Sequence, residues 1–375
     1  MAMPIDAAAP ALRRADTAFG STVITIVGFR NPDDIRLCLD ALSRSIATDF
    51  SVVICENGGD LAYRSLLTAL YGRVNALVPM LPAGDDRIVE AWRGQLAPIS
   101  AAPDQRAGQN VLVLRARGNL GYAGGVNACI GEIRADPDWT AIWVLNPDTE
   151  PHPDALQALV DHAASDRYGI VGSRLVFKGT DRVQLYGGRW RKFIARGFNI
   201  GLNASAADAA DVAKIERTMT YVNGASMYVT RSFITSVGTM DERYFLYCEE
   251  VDWCFRRGDF RLGYAHGSLI HHAHGSVIGS NANRRLRSSL SVYLDERNKL
   301  LFTRRFFPRR YPLVVLVTLL LTVQYLKAGA FANFGVALAG WLAAIRNEEG
   351  LPERFRRQGL GSDETPSTSH VRTAW

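Results

Sequence analysis

The fold is decided between residues 21 and 60, which read STVITIVGF (21–29), NPDDIRLCLDALSRS (31–45) and SVVICENGGD (51–60). The first and third segments are nearly continuous apolar runs rich in β-branched residues, which is typical of parallel strands buried on both faces. The middle segment predicts a connecting helix, because Asn31 can cap its start and Pro32 fits its first turn. Its apolar contacts would come from Ile35, Leu37, Leu39 and Leu42.

The same alternation of strand and helix continues along the chain. LAYRSLLTALYG predicts a second helix, while NVLVLRA and TAIWVLNPD (140–148) predict a third and a fourth strand. Such an order is typical of an α/β protein with a doubly wound, mostly parallel sheet flanked by helices. Residues 79–110, rich in Pro, Ala and Gly, are predicted to be an inserted loop. The Ala- and Asp-rich residues 203–217 are predicted to be a mobile loop.

Beyond residue 160 the pattern becomes mixed, and short strands are predicted at GIVGSRLVF, VQLYGGRW and YVNGASMYVTR (221–231). Three polar residues fall directly after predicted strands, namely Glu56, Asn119 and Asp148. Ligands of doubly wound sheets bind beyond the carboxyl ends of the strands. We therefore expect these three side chains to meet at one binding site.

Composition narrows the possible partners. The 375 residues carry a net charge of only +6, but arginines crowd the last third of the chain, which favours an anionic ligand or a membrane surface over nucleic acid. The five cysteines form no CxxC pair, which is typical of reduced thiols in a cytosolic protein. The Ala-rich residues 1–20 lack a continuous apolar segment of signal-peptide length and are predicted to be a flexible lead.

Three motifs could carry chemistry. In NPDTEP (146–151) Asp148 could hold a divalent cation against a diphosphate, or it could simply close an Asx-type turn. The glycines of GNLGYAGGVN (118–127) could approach a phosphorylated ligand, or they could allow tight helix–strand packing. HHAHGS (271–276) lacks the further ligands of a closed zinc site, so one histidine joining Asp148 at a Mg²⁺ or Mn²⁺ site is the preferred interpretation.

YFLYCEEVDWCFRR (244–257) places three carboxylates within four positions. If a helix begins near residue 248, Asp252 and Arg256 can pair at i, i+4. The helix N-terminus would stabilise the acids Glu249 and Glu250. The flanking aromatic residues favour a half-buried cleft wall over a solvated first turn. In such a cleft a carboxylate with a raised pKa can act as a general base.

Two uncharged runs follow, YPLVVLVTLLLTVQYL (311–326) and AGAFANFGVALAGWLAAI (328–345). A helix of sixteen residues spans about 24 Å, less than the roughly 30 Å of a bilayer core. An interfacial hairpin with RRFFPRR (304–310) at the headgroups is the preferred interpretation. A transmembrane pair, a buried helical pair and a dimer contact remain alternatives.

Taken in order, the motifs resemble a known family. They are a strand followed by GFRN, a strand ending in ENGG, NxGYAGGxN, LNPDT, NGAxMYV, YFLYxEExDWxxR, HxHGS and YxxxRN. Over roughly residues 21–310 they resemble the inverting glycosyltransferases of family 2, which have the GT-A fold, and especially the rhamnosyltransferase-like branch that builds bacterial surface polysaccharides.

The resemblance implies a role for each matching residue. Glu250 would be the catalytic base, supported by Glu249, Asp252 and Arg256. Asp148 and His272 would hold Mg²⁺ or Mn²⁺, with His274 as a fallback. The nucleotide-sugar donor would be bound by Phe29, Glu56, Asn57, Asn119, Gly121, Gly124, Gly125, Asn127 and Asn146.

The sequence departs from the family pattern at three of these positions. Glu56 stands where the family has an aspartate that binds the nucleotide base, so the base preference is open. The tripeptide 146–148 replaces a D-x-D motif. Glu250 replaces an aspartate, which extends the reach of the base by one methylene.

The resemblance also implies a domain plan and a reaction. A GT-A domain would span 21–300, with a nucleotide-binding half (21–150) and an acceptor half (151–300). An apolar and basic helical segment would span 301–350 and a polar tail 351–375. The enzyme would transfer a sugar, from deoxythymidine-diphosphate rhamnose or a UDP-sugar, to a glycan or polyprenyl-linked acceptor. It would lie peripherally on the cytoplasmic face of the inner membrane, and it could form a homodimer.

Two other functions remain open at this point. A non-catalytic protein that binds sugar nucleotides could keep the fold while tolerating the departures at Glu56, Asn146 and Glu250. A metal-dependent hydrolase could be built on the HHAH histidines, and would require tightly held zinc.

Overall fold

The computed structural model describes residues 19–82, 84–97, 109–164, 167–273 and 283–356. The predicted lead up to residue 18, the tail from residue 357 and His274 lie outside these ranges. The strands are β1 (Thr22–Gly28), β2 (Phe50–Glu56), β3 (Val74–Met80), β4 (Ile88–Leu96), β5 (Asn110–Ala116), β6 (Ala141–Leu145), β7 (Thr149–Pro151), β8 (Tyr168–Phe177), β9 (Val183–Leu185), β10 (Gly187–Arg191), β11 (Arg196–Ile200), β12 (Ser226–Thr230) and β13 (Arg261–His272).

Helices connect these strands and extend the chain at its C-terminal side. They are α1 (Pro32–Leu42), α2 (Asp60–Ala69), α3 (Gly121–Ile133), α4 (Ala155–Ala163), α5 (Val212–Thr218), α6 (Arg231–Val237), α7 (Glu249–Phe255), α8 (Ser289–Phe306), α9 (Tyr311–Lys327), α10 (Phe331–Ile345) and α11 (Glu353–Phe355). The expected α/β architecture with a helical C-terminal part is confirmed.

The main sheet has the order β3-β4-β5-β2-β1-β6-β12-β8-β13-β7. The central strands β5, β2, β1 and β6 are parallel, as expected, and antiparallel strands extend the sheet on both sides. Strand β2 is buried on both faces, with Val52 and Ile54 in one apolar core and Val53 and Cys55 in the other. This double burial explains why its sequence is apolar without alternation.

The carboxyl ends of several strands lie at one edge of the main sheet. Strand β12 is antiparallel to both β6 and β8, and β13 is parallel to β8. The carboxyl ends of β6 and β13 therefore point the same way. Short strand β7 folds back after β6 and pairs Thr149 with His272. Residues after β1, β2, β5, β6 and β13 thus gather at one edge.

Two loop predictions are wrong. Residues 79–110 include β4, which pairs with both β3 and β5 and buries Ile88, Ala91 and Leu96. The Pro, Ala and Gly around the segment concealed this strand. Residues 203–217 include most of α5, which Asp211 caps by accepting from the Lys214 amide and which Ile215 anchors in the core.

The first helix differs in detail from its prediction. Asn31 precedes α1, but its side-chain oxygen accepts from the Phe29 amide, 2.9 Å away, and bonds to no helix amide. Leu37, predicted as an apolar contact, is exposed, while Ile35, Leu39 and Leu42 are buried as expected.

The two uncharged runs form antiparallel helices α9 and α10, which pack with α8. Within the described ranges, one helical segment, Pro308–Lys327, is long and apolar enough to cross a membrane, judged by length and composition alone. About a fifth of its apolar window is buried inside the protein.

Candidate active site

Glu56 ends β2 with its side chain fully buried. Its Oε1 accepts from the Gly58 amide at 2.7 Å and from the Arg30 amide at 3.1 Å. Its Oε2 has no hydrogen-bond partner among the described residues. Burial raises the pKa of Glu56, and the two backbone donors oppose this. The oxygen without a partner lies against Gly28, because a Cβ on that glycine would approach it to 2.5 Å.

The glycine-rich turn at the start of α3 (residues 118–121) packs against the loop that precedes Glu249 (residues 244–248), which we call the acidic loop. Gly121 has φ +73°, and a Cβ there would lie 2.3 Å from the Phe245 carbonyl oxygen. The Asn57 side chain donates to the Gly121 carbonyl at 2.9 Å, and the Asn119 oxygen accepts from the Gly121 amide at 3.0 Å. Only glycine fits this approach. The predicted donor-binding residues Asn57, Asn119 and Gly121 are thus neighbours.

Two other residues of this motif have packing roles. A Cβ on Gly125 would lie 2.6 Å from Val27, so the glycine lets α3 approach β1 closely. Asn127 donates to the Met240 carbonyl and to Glu242, and its oxygen accepts from the Met240 amide. Tight packing therefore accounts for these positions, and their predicted contact with a donor stays a prediction.

Asp148 and His272 meet at the end of β13. The His272 Nε2 lies 3.3 Å from an Asp148 oxygen, and its Nδ1 lies 2.8 Å from the Gln184 side-chain oxygen. Because that oxygen only accepts, Nδ1 is the donor of this hydrogen bond, which leaves Nε2 directed at the carboxylate. The pair therefore fits a divalent cation whose remaining ligands come from substrate or water.

The acidic pair begins α7, as predicted, and follows an unusual loop. Phe245, Tyr247 and Cys248 all have positive φ, between 66° and 74°, although none is glycine. Such conformations cost about 1–3 kcal/mol each and persist only where surrounding contacts hold them. The loop sets the direction in which Glu249 and Glu250 leave the helix start.

The contacts that hold this loop come from α8. Asn298 donates through one nitrogen to the carbonyls of Tyr244, Leu246 and Tyr247, at 2.7–3.0 Å. Arg297 donates to the Tyr244 carbonyl at 3.1 Å. Both side chains are fully buried. The YxxxRN motif had carried a resemblance but no role, and only the fold reveals that its last two residues hold the acidic loop.

Burial dominates the electrostatics of Glu249 and Glu250. It raises the pKa of both, and the charge of Glu250 raises the pKa of Glu249 further. Glu249 is buried and its Oε2 has no hydrogen-bond partner among the described residues, whereas Glu250 is half-buried. Glu250 is therefore the member that a substrate can reach.

Asp252 supports the helix from its other side. It is fully buried, accepts from Arg256 at 2.6 Å and from the Tyr244 hydroxyl at 3.0 Å, and also pairs with Arg305 at 2.8 Å. The predicted pair of Asp252 and Arg256 is present, and Arg305 is an additional partner that sequence spacing could not identify.

Tyr122 links the two acidic groups in space. Its hydroxyl donates to the Gly224 carbonyl at 2.7 Å, and a Cβ on Gly224 would lie 3.8 Å from the Glu250 Cβ. Burial and the charges of Glu249, Glu250 and Asp148 all raise the pKa of Tyr122. The Asn146 amide also donates to the Ala225 carbonyl at 3.0 Å, so the end of β6 that leads to Asp148 adjoins the turn beside Glu250.

Other features of the described residues do not compete with this site. A cavity of about 650 Å³, lined by residues that include Arg167, Arg257 and Phe260, lies at the opposite, N-terminal end of β13. Within the described ranges no three His, Cys, Asp or Glu side chains cluster as a metal site, which gives the zinc hydrolase no support there.

Part of the chain matches a known family model, and several known proteins are similar to it. Residues 96–213 match the family model described as "Glycosyl transferase family 2". The hexosyltransferase Agl10 of low-salt glycan biosynthesis in Haloferax volcanii is 25% identical over 248 residues, which are 64% of this chain and 76% of that protein.

A second relative is the N-acetylglucosaminyl-diphospho-decaprenol L-rhamnosyltransferase of Mycobacterium tuberculosis, 31% identical over 169 residues, which are 40% of this chain and 53% of that protein. The solved structure of GalNAc-T7 with UDP, GalNAc and Mn²⁺ is similar with a TM-score of 0.48 and 12% identity, over 79% of this chain and 52% of the other. Residues 96–213 therefore carry a match to family 2 glycosyltransferases, and the relatives, a hexosyltransferase and a rhamnosyltransferase by name, indicate a glycosyltransferase.

Proposed function

We propose that the protein is a metal-dependent inverting glycosyltransferase that moves a sugar, rhamnose in the first instance, from a nucleoside-diphosphate donor to a glycan or lipid-linked glycan. The observation that carries this proposal is the 3.0 Å hydrogen bond from the Asn146 amide to the Ala225 carbonyl, which joins the turn that holds Asp148 to the turn beside Glu250. It supports one crevice with a cation-binding end and a proton-accepting end, which is what displacement of a diphosphate by a hydroxyl requires.

Glu250 would act as the general base. The acceptor oxygen forms a bond to the anomeric carbon while the bond from that carbon to the diphosphate breaks, and the electron pair leaves with the diphosphate. The proton of the attacking hydroxyl passes to Glu250. One displacement from the opposite face inverts the configuration. The raised pKa of Glu250 brings the base closer to the working pH and strengthens its proton affinity.

Glu249 would stay protonated beside its partner. Two carboxylates this close do not both ionise readily, and the more deeply buried one holds its proton. The neutral Glu249 then leaves the single negative charge on Glu250. This division of roles rests on the difference in burial between two adjacent residues.

The other end of the crevice would hold the donor diphosphate. A divalent cation there would neutralise the charge that develops on the leaving diphosphate. Asp148 and His272 would hold it, with Gln184 fixing the orientation of the imidazole. Glu56 would bind the nucleotide base through the oxygen that lacks a protein partner.

Donor and acceptor are proposed from the relatives' names. The mycobacterial relative is named for transfer of L-rhamnose and for a decaprenol carrier with a diphosphate. We assign a deoxythymidine-diphosphate rhamnose donor, with UDP-sugars as the alternative, and a polyprenyl-linked acceptor at the cytoplasmic face of the membrane. The five buried free cysteines are compatible with a reducing compartment.

The test is a transfer assay with a panel of nucleotide-sugars and a synthetic lipid-linked acceptor. We expect one donor to be consumed in the presence of Mn²⁺, with loss of activity on chelation and a product of inverted anomeric configuration. Thermal shift with each donor, with and without Mn²⁺, identifies the ligand independently of the acceptor, because a ligand of the folded state raises its stability. Retained configuration, or full activity under chelation, would refute the proposal.

A further inference from the structure

Helix α9 has one face inside the protein and one outside. Val314, Thr318, Thr322 and Tyr325 are buried. Leu313, Leu316, Leu320 and Val323 are exposed, up to 71% for Leu320. At 100° per residue these four side chains fall within an arc of about 80°. The helix therefore presents a continuous apolar stripe to its surroundings.

The inner face joins α9 firmly to the catalytic part. Val314 packs in a cluster with Leu300 of α8 and Ala344 of α10. Tyr325 packs with Val292 of α8 and Ala337 of α10. Helix α8 also carries Glu296 and Lys299 as a buried ion pair. Crossing a bilayer would require α9 to leave these contacts or to carry charged α8 into hydrocarbon.

A second segment extends the stripe. The turn between β10 and β11 exposes Phe193, whose side chain is 53% accessible. The Arg310 guanidinium, directly before α9, lies 5.1 Å from the centroid of the Phe193 ring. Ala195 of the same turn packs with Val314. The turn therefore lies beside the first turn of α9, although more than a hundred residues separate them.

Cations flank the stripe at both ends. Arg309 and Arg310 precede α9, and Lys192 neighbours Phe193. At the other end Lys327 closes the helix, Arg284 bonds to Gln324, and Arg285 bonds to the Ala328 carbonyl. Helix α9 itself has no acidic residue. An apolar centre with basic ends complements a bilayer that carries anionic headgroups.

We propose that Phe193, Leu313, Leu316, Leu320 and Val323 form a docking surface for an anionic phospholipid bilayer, with α9 lying in the plane of the interface. Helix α8 connects this surface to the base helix, because its Leu300 packs under α9 while its Asn298 holds the loop before Glu249. Docking itself needs no catalysis. Its use, delivery of a lipid-linked acceptor to Glu250, rests on the proposed function.

The test is co-sedimentation of the full chain with vesicles. We expect binding to phosphatidylcholine vesicles that contain phosphatidylglycerol, weaker binding to pure phosphatidylcholine, and a loss of binding at high salt. Leu316→Gln should lower the partition coefficient about tenfold, and Phe193→Ser should lower it severalfold. The matched control is Leu61→Gln, because Leu61 on α2 has the same 61% exposure as Leu316, and it should bind like wild type.

Three results would overturn the docking surface. They are wild-type protein that stays in the supernatant with anionic vesicles, an equal loss of binding in Leu61→Gln and Leu316→Gln, and light scattering that shows a dimer which Leu316→Gln splits without changing vesicle binding. Transfer to a water-soluble acceptor should be unchanged in Leu316→Gln. A failure of docking is thereby separated from a failure of the proposed enzyme, which would abolish transfer in every variant.

Discussion

The two ends of the crevice treat carboxylates in opposite ways. The Asp148 carboxylate lies 3.3 Å from the His272 Nε2, and we propose that this pair holds a divalent cation. Glu249 and Glu250 face apolar and aromatic surroundings, and burial raises their pKa values. The difference teaches that one fold can prepare an acid to bind a cation or to accept a proton, depending on what the neighbouring chain supplies.

The largest effect should come from the proton-accepting end. Glu250→Gln keeps the size of the side chain but removes its basicity, so kcat should fall by about 10²–10⁴-fold, the usual worth of a general base. Steady-state transfer kinetics measure it. Donor affinity from thermal shift should be unchanged. Transfer near the wild-type rate in the folded variant would end the assignment.

The cation-binding end should give the next largest effect. Asp148→Asn removes the anionic ligand, and the Mn²⁺ concentration for half-maximal activity should rise by about 10–100-fold. Calorimetric Mn²⁺ titration provides a second readout. The control is Glu150→Gln, a carboxylate two residues away that pairs with Lys178 at 2.6 Å. If Asp148→Asn and Glu150→Gln lower the affinity for Mn²⁺ equally, Asp148 is not the specific ligand and the proposed difference between the two carboxylate sites is wrong.

The loop before the acidic pair gives an intermediate effect. Asn298→Leu removes the donor that three loop carbonyls share, and only that of Tyr244 keeps a bond from Arg297, so the free energy of unfolding should fall by about 1–3 kcal/mol. The folded fraction should also lose kcat with little change in donor KM, because Glu250 is displaced. Denaturant melts and initial rates measure the two parts.

A matched control separates stability from positioning. Asn333 donates to the carbonyls of Arg284 and Arg287 rather than to carbonyls of the acidic loop. Asn333→Leu should lower stability by a similar amount and leave kcat unchanged. An equal loss of kcat in both variants would show that Asn298 only stabilises the fold.

The smallest effect concerns stability against pH. Because the pKa of Glu249 is raised in the folded state, the stability that its proton provides is present below the ordinary value of 4.5 and is lost as pH rises through the raised pKa. Glu249→Gln removes that loss. As pH rises, the free energy of unfolding of the variant should increase relative to that of wild type. The expected difference is roughly 1 kcal/mol, a typical size for one substitution.

Melting temperatures between pH 5 and 9 check this result, with Glu296→Gln as the contrast. Glu296 is also buried, but it pairs with Lys299. Its replacement leaves that lysine uncompensated and should lower stability. If the Glu249→Gln variant instead became less stable than wild type as pH rises, Glu249 would be ionised and held by a cation.

Local pattern predicted much of this molecule. The apolar runs of β1, β2, β5 and β6 predicted a parallel sheet, because strands buried on both faces consist mainly of apolar residues. The positions of Glu56 and Asp148 at strand ends predicted that they belong to a binding site. The sequence pattern did not predict β4, because a strand paired on both sides is stabilised by its partners more than by its own composition. The sequence pattern also assigned no role to Gln184 and Asn298. Their hydrogen-bond partners are remote along the chain, so no local spacing of residues predicts these bonds.

The sequence by itself determined which residue types exist for catalysis: an acidic pair at a helix start, a carboxylate after a strand and a histidine near a strand end. Only the tertiary structure decided which of them meet. His272 on β13 lies beside Asp148, and Asn298 on α8 holds the loop that precedes Glu250. The physical reason is that side-chain chemistry is local, whereas desolvation and proximity arise when segments remote along the chain pack together.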